Sequence, residues 1–158
     1  MSDVDFSELV DSPLFIELSK QEIEYLSSIF TRTQVFEGKT VFIENMPGES
    51  LYLIQEGTVQ ISQMLSELDE QALVSLEKGD VFGEMAVIDQ ENRMATARII
   101  KDATLYSLKR EAFAALIKAK PRLGLQLTLN IVRIFGRKIR NAKKDYRVML
   151  VNSLSQKD

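Results

Sequence analysis

Histidine and cysteine are both absent from this 158-residue chain. Their absence excludes ordinary zinc, haem and thiolate chemistry. Ser-His-Asp and Cys-His hydrolysis are excluded as well. No disulfide framework exists, and a cytoplasmic location is expected. The glycine loops GxxxxGK[ST] and GxGxxG are also missing, so neither a nucleoside triphosphate nor a dinucleotide has its usual seat. No apolar run approaches the roughly 18 residues of a membrane helix, and no membrane partner is expected. The N-terminal MSDVDFSELV is acidic, unlike a secretory signal or a transit peptide. Carboxylate-only metal sites and lysine chemistry stay open at this point.

What is present suits a folded soluble protein: apolar residues make up 45% and charged residues 27%. The length fits one domain of ordinary size plus a little extra. The net charge of −3 is unevenly spread. Between Lys118 and Arg147 ten Lys and Arg stand against the single acid Asp145, a net +9, which leaves −12 for the rest. An acidic body with a basic C-terminal segment is suited to recruiting a partner or to folding back on itself.

Four segments are expected. Residues 1–30 read as helical from about Ser7 to Ser28, with Ser12-Pro13 as one helix start and Ser19 to Glu22 as a capping box. Leu14, Phe15, Leu18, Ile23, Leu26 and Ile29 supply its core contacts. Residues 31–109 read as short strands punctuated by Gly38, Gly48, Gly57 and Gly79, all taken as turn formers. SLYLIQEG and TVQISQML count as two of these strands, and SELDEQ as a hairpin tip. Residues 110–151 are helical again, with a short helix ended by Pro121 and then a long one. Residues 152–158 form a tail. The long helix carries a heptad-like seam at Leu125, Leu129, Val132, Gly136, Ile139, Lys143, Tyr146 and Leu150. The β domain or the same helix of a second copy must cover it. The fold class is therefore α+β, mainly β: an antiparallel β roll of jelly-roll type with N-terminal helices and a long C-terminal helix.

The stretch GDVFGEMAVIDQENRMATAR, residues 79–98, raises a chemical question. Glu84 directly follows a glycine within an apolar run, and Arg93 lies nine residues further on. Charges in such a setting must be paired or must bind something polar. GEMAVID reads as one helical turn opening after Gly83, and free N–H groups at such a turn attract an anion. Arg93 offers a fork that matches two phosphate oxygens. Glu84 would be repelled by phosphate and suits a hydroxyl instead, such as that of ribose. Together they describe one end of a nucleotide carrying a single phosphate charge.

FGEMAVIDQENRMATAR resembles the phosphate-binding cassette of cyclic nucleotide-binding domains, at residues 82–97 of this chain. The family pattern runs Phe-Gly-Glu-Leu-Ala-Leu and later Pro-Arg-Ala/Ser/Thr-Ala. Phe82, Gly83, Glu84, Ala86, Arg93 and Ala95 match it, with conservative changes at Met85 and Val87. Upstream, VFIENMPGESLYLIQEGTV is similar to the family's β-roll pattern. The resemblance spans roughly residues 14 to 140 and is of the catabolite activator and protein kinase A regulatory-subunit type. It implies that Glu84 holds the ribose 2′-hydroxyl and Arg93 the cyclic phosphate. Backbone N–H groups near Gly83, Ala86 and Met94 would complete the anion site, with Met85 and Ala95 beside them. It also implies a lid from the long helix, at Ile134, Lys138 and Ile139. Asn92 departs from the family's Pro and Met94 from its small residue. The lack of a Thr or Ser hydroxyl at 94 favours cAMP over cGMP, although no Ser or Thr pair on the lid reads an adenine.

The expected function is a non-catalytic cyclic nucleotide sensor, with cAMP as ligand and no metal. Homodimerisation through the C-terminal helix and an unknown downstream protein are the expected partnerships. The family's transcription factors continue into a helix-turn-helix domain, and a stand-alone domain ending at Asp158 lacks room for one. Nucleic-acid binding is not expected, because the basic run reads as a solvated face. The alternative is a degenerate domain that binds no nucleotide and serves as an interaction or dimerisation scaffold. A lone Glu and Arg more often pair with each other or with neighbours than with a ligand. An enzyme using Glu84 or Asp89 as general acid or base finds no other support in the sequence.

Overall fold

The computed structural model describes residues 2–156. Two long strands form its spine, β3 (Ser50–Ser66) and β6 (Thr96–Lys109), paired antiparallel. β6 also pairs with β1 (Thr31–Val35) and β2 (Thr40–Phe42). β3 also pairs with β4 (Asp69–Leu76) and β5 (Val81–Phe82). All pairings are antiparallel, and they give the β roll with flanking helices that the sequence patterns predict. The β3–β4 hairpin turns at Glu67-Leu68, inside the polar SELDEQ segment.

β3 is one continuous strand, not the two that Gly57 suggested. Gly57 marks an irregularity within it, at φ +94°. Between Ile54 and Val59 five steps along β3 stand against six along β6, from Leu105 to Ile99. The consequence shows in the packing. Tyr52 and Ile54, at even positions, face the roll interior before the glycine, and Val59 and Ile61, at odd positions, face it afterwards. A strand alternates faces with period two, so only a local irregularity can switch which parity points inward.

The alternation creates two cores. Ile54, Val59, Phe82, Ala97, Ile99 and Leu105 fill the roll. Leu51, Leu53, Tyr106 and Leu108, on the opposite face of the same two strands, pack against the helices. The N-terminal segment contributes Phe6, Phe15 and Phe30 there, with Phe6 set edge-on to both Phe30 and Tyr106.

The N-terminal helical expectation holds in part. Ser12 caps a single 3-10 turn at Pro13–Phe15 by accepting from the Leu14 N–H. Ser19 and Glu22 close a capping box on α1 (Lys20–Ser27). The stretch from Ser7 is not one helix, because Glu17 takes a positive φ of 61° and breaks the path between the two.

α2 (Arg110–Ala119) leads into α3 (Pro121–Ser155) with Pro121 at the first helical position. At 35 residues α3 is about 52 Å long. Its buried face is Leu123, Gly124, Leu127, Asn130, Ile131 and Ile134. Asn130 is fully buried, and its amide donates to the carbonyls of Leu14 and Ile16 at 2.9 Å each. That bond set ties α3 to the N-terminal segment, where unpaired carbonyls would be costly. The heptad seam lies on a different face: Leu125, Leu129, Val132, Ile139, Tyr146 and Leu150 are all exposed. The β domain therefore does not cover the seam.

Candidate functional site

Gly83 ends β5 in the left-handed conformation, φ 66°, and opens a single 3-10 turn at Glu84–Val87. The turn places Glu84 inward, 4% exposed. Its internal bonding corrects one expectation. The Ala86 N–H donates to the Gly83 carbonyl at 3.2 Å, so it is engaged rather than free for an anion.

Arg93 enters from the far side of the same loop. Its backbone is clamped against the β2–β3 connection: the Arg93 N–H donates to the Met46 carbonyl, and the Asn45 N–H donates to the Arg93 carbonyl, both at 2.8 Å. An isolated bridge between Pro47 and Asn92 extends this clamp. The connection thus supplies order at Asn92, where the resembled pattern has a Pro. The guanidinium lies over the Phe42 ring at 4.0 Å, and the residue is only 7% exposed. Nη1 donates to the Gly83 carbonyl at 3.2 Å and Nη2 to the Ser50 carbonyl at 2.9 Å, while Nε has no partner among the described residues. Burial lowers the Arg93 pKa from its ordinary value; the nearby Arg110 pushes it the same way, and Glu84 and Tyr52 oppose it. Burial also raises the pKa of Tyr52, which stacks on Phe82 with centroids 5.1 Å apart.

Two residues whose part in the site the sequence does not signal shape this slot. Gly48 was expected as a turn former, but its φ is not positive and its role is close approach. A Cβ there would sit 2.1 Å from the Arg93 Nε. Arg110, at the start of α2, donates from Nε to the Ala86 carbonyl at 2.7 Å and from Nη2 to the Gly48 carbonyl. It thereby ties the 3-10 turn to the wall of the arginine slot across 62 residues. Nothing in the local pattern around Arg110 signals that task.

Glu84 does not meet Arg93 in an ion pair. Its partner is Lys138, from α3. The Lys138 Nζ lies 2.9 Å from each Glu84 oxygen and donates to the Val81 carbonyl at 2.7 Å. The basic run on α3 is thus not wholly a solvated face. At this one position it reaches into the site.

A cavity of about 290 Å³ lies among these groups, near the lower end of small-molecule sites, about 300 Å³. Gly83, Glu84, Met85, Ala86, Arg93, Met94 and Ala95 all contribute to its walls. Met94 is 56% exposed and leaves the hollow open. From α3 the lining residues are Phe135 and Lys138. Ile134 is instead packed into the helix-facing core, and Ile139 is exposed. Both belong to the expected lid, yet neither lines the cavity, whereas Phe135 was not foreseen. One residue along a helix turns a side chain by 100°, so a lid read without the packed face is easily misplaced. Among the described residues no cluster of His, Cys, Asp or Glu gathers as a metal site.

The cavity wall thus holds a buried cation with no carboxylate partner among the described residues, together with a buried acid. Comparisons with known proteins identify a family. The family model described as "Cyclic nucleotide-binding domain" matches residues 32–120. The cyclic AMP receptor protein of Thermus thermophilus is 33% identical over 131 residues, 83% of this chain and 59% of that protein. The chain thus spans less than two thirds of that relative's length. The crystal structure of the catabolite activator protein from T. thermophilus superposes with a TM-score of 0.77 at 31% identity, covering 87% of this chain and 63% of that one. A cyclic nucleotide-binding domain from Methylobacillus flagellatus shares the fold at a TM-score of 0.82 and 24% identity, over 89% of this chain and 81% of that one.

Proposed function

The chain belongs to the cyclic nucleotide-binding domain family, and we propose that it is a non-catalytic sensor that binds cAMP ahead of cGMP. The observation that carries the reading is Arg93. Arg93 is 7% exposed, and its guanidinium, with no carboxylate partner among the described residues and an unpartnered Nε, is an unbalanced buried charge. Such a charge is costly unless an anion joins it. A cyclic phosphate supplies one negative charge without requiring a metal. Glu84, at the same cavity, accepts from the ribose 2′-hydroxyl. Met85, Ala86, Met94 and Ala95 then serve as walls around the sugar and phosphate, within the cassette at 82–97 of a roll spanning 31–109. The preference for cAMP rests on Met94, whose thioether offers no hydroxyl to a guanine.

Calorimetry on the unmodified protein tests this. One cAMP per chain should bind, with cGMP weaker. No heat from either nucleotide removes the sensor reading. The outcome that then remains is the scaffold, which one observation favours: Glu84 has an ion-pair partner within the chain, Lys138.

The exposed seam on α3 supports a homodimer through segment 110–151, the second copy covering Leu125, Leu129, Val132 and Ile139. Sedimentation should show a dimer that Val132→Glu converts to monomer, since a charge at a heptad core position is strongly disfavoured. A monomeric parent removes the dimer. Binding alters the placement of α3, and a downstream protein reads that placement. We assign neither nucleic-acid contact nor metal to the site. A cytoplasmic location belongs to the same proposal, and among the described residues no helix is long and apolar enough to cross a membrane.

A further inference from the structure

From Ile139 to Ser155 every residue of α3 is exposed. Among the described residues, no hydrogen bond or ion pair links that stretch to the rest of the protein. Lys138 is therefore the last polar attachment of α3 to the body, and the groups that hold it belong to the candidate site. Its ammonium spans both oxygens of a carboxylate that is 4% exposed, and it also bonds the carbonyl of Val81, one residue before the cassette begins. Ile134, one turn earlier, is the last buried residue of the helix.

We infer that Lys138 is a latch that competes with the ligand's sugar hydroxyl for Glu84, so that binding frees or redirects the projecting half of α3. The inference rests on the nucleotide reading of the site and names the contact that couples the pocket to the helix. A 2′-hydroxyl donating to Glu84 must approach the oxygens that the ammonium now covers. Glu84 is too buried to turn toward solvent and offer another face. Once the ammonium leaves the carboxylate, the remaining bond to Val81 is a single neutral acceptor. The attachment of α3 then loses its charge-assisted part, which is the stronger one. A ligand can shift α3 only by interacting differently with its two placements, and sharing Glu84 with Lys138 provides that difference. The latch also restricts the response of α3 to ligands with a free 2′-hydroxyl, because only these displace it.

The test compares the parent with Lys138→Met, which keeps an unbranched side chain one atom shorter and removes its charge. Lys138→Met should bind cAMP about tenfold more tightly, the size of one charge-assisted hydrogen bond. Binding of 2′-deoxy-cAMP should not change, since that analogue has no hydroxyl to place on Glu84. The absence of native cysteine allows spin labels at Glu37→Cys on the body and Arg147→Cys on α3. Their distance distribution should broaden or shift in ligand-free Lys138→Met, and in the parent on adding cAMP. Weaker cAMP binding by Lys138→Met overturns the latch and makes Lys138 a ligand contact. Unchanged affinity with unchanged distances overturns it as well. If neither protein binds either nucleotide, the nucleotide reading fails and the competition fails with it. A shifted distance in ligand-free Lys138→Met would then still show Lys138 as the attachment of α3.

Discussion

Arg93→Ala should weaken cAMP binding by about 100-fold while the protein stays folded. The expectation follows from two phosphate contacts. Each hydrogen bond to a charged group contributes about 1.5 kcal/mol, and two give about 3 kcal/mol, close to two decades in Kd. Stability should change far less, because the side chain's present bonds are to the carbonyls of Gly83 and Ser50 beside an open cavity. Water can reach those carbonyls once the guanidinium is gone. The desolvation that lowers the Arg93 pKa is also relieved. Calorimetry paired with thermal unfolding reads both quantities. Arg93→Lys should recover only part of the affinity, since an ammonium keeps the charge but not the planar fork. Equal affinity in Arg93→Ala and the parent would remove phosphate recognition from this site.

Gly57→Ala should cost about 3 kcal/mol of stability, from two sources that act together. The residue sits at φ +94°, where an L side chain is strained by roughly 1–3 kcal/mol. The added Cβ would also lie 2.4 Å from the Asp102 carbonyl oxygen and 2.6 Å from the Ala103 Cα. Both are backbone atoms of β6, and they cannot retreat without breaking the ladder that joins the two spine strands. For a chain of this size the thermal midpoint should fall by roughly 6–12 °C. Gly38→Ala provides the control. It shares a positive φ, +85°, but meets nothing within 4 Å, so only the backbone strain applies. If the two variants unfold together, the close approach at Gly57 contributes nothing to the loss of stability.

Much of the architecture is readable in the chain because it rests on local rules. The capping box at Ser19 and Glu22 closes within four residues, and the 3-10 turn after Gly83 needs only a left-handed glycine and the residues that follow. The roll announces itself through strand-length apolar runs. Glu84 and Arg93 stand out as charges in an apolar setting. The local rules mislead where a glycine serves distant atoms. Gly48 beside Pro47 looks like a turn, and Gly57 looks like a break between strands. Gly48 in fact makes room for the Arg93 side chain, and Gly57 for the backbone of β6.

The sequence by itself determined the antiparallel roll between helical ends, the glycine-framed cassette and the amphipathic seam on the last helix. Each depends on periodicity or on groups a few residues apart. Tertiary structure alone decided that Lys138 holds Glu84, that Arg110 braces the arginine slot, and that Phe135 rather than Ile134 or Ile139 faces the cavity. Those contacts join residues 54 and 62 positions apart. No local pattern encodes such pairs, because they exist only once the sheet has rolled up and α3 has chosen which of its faces to bury.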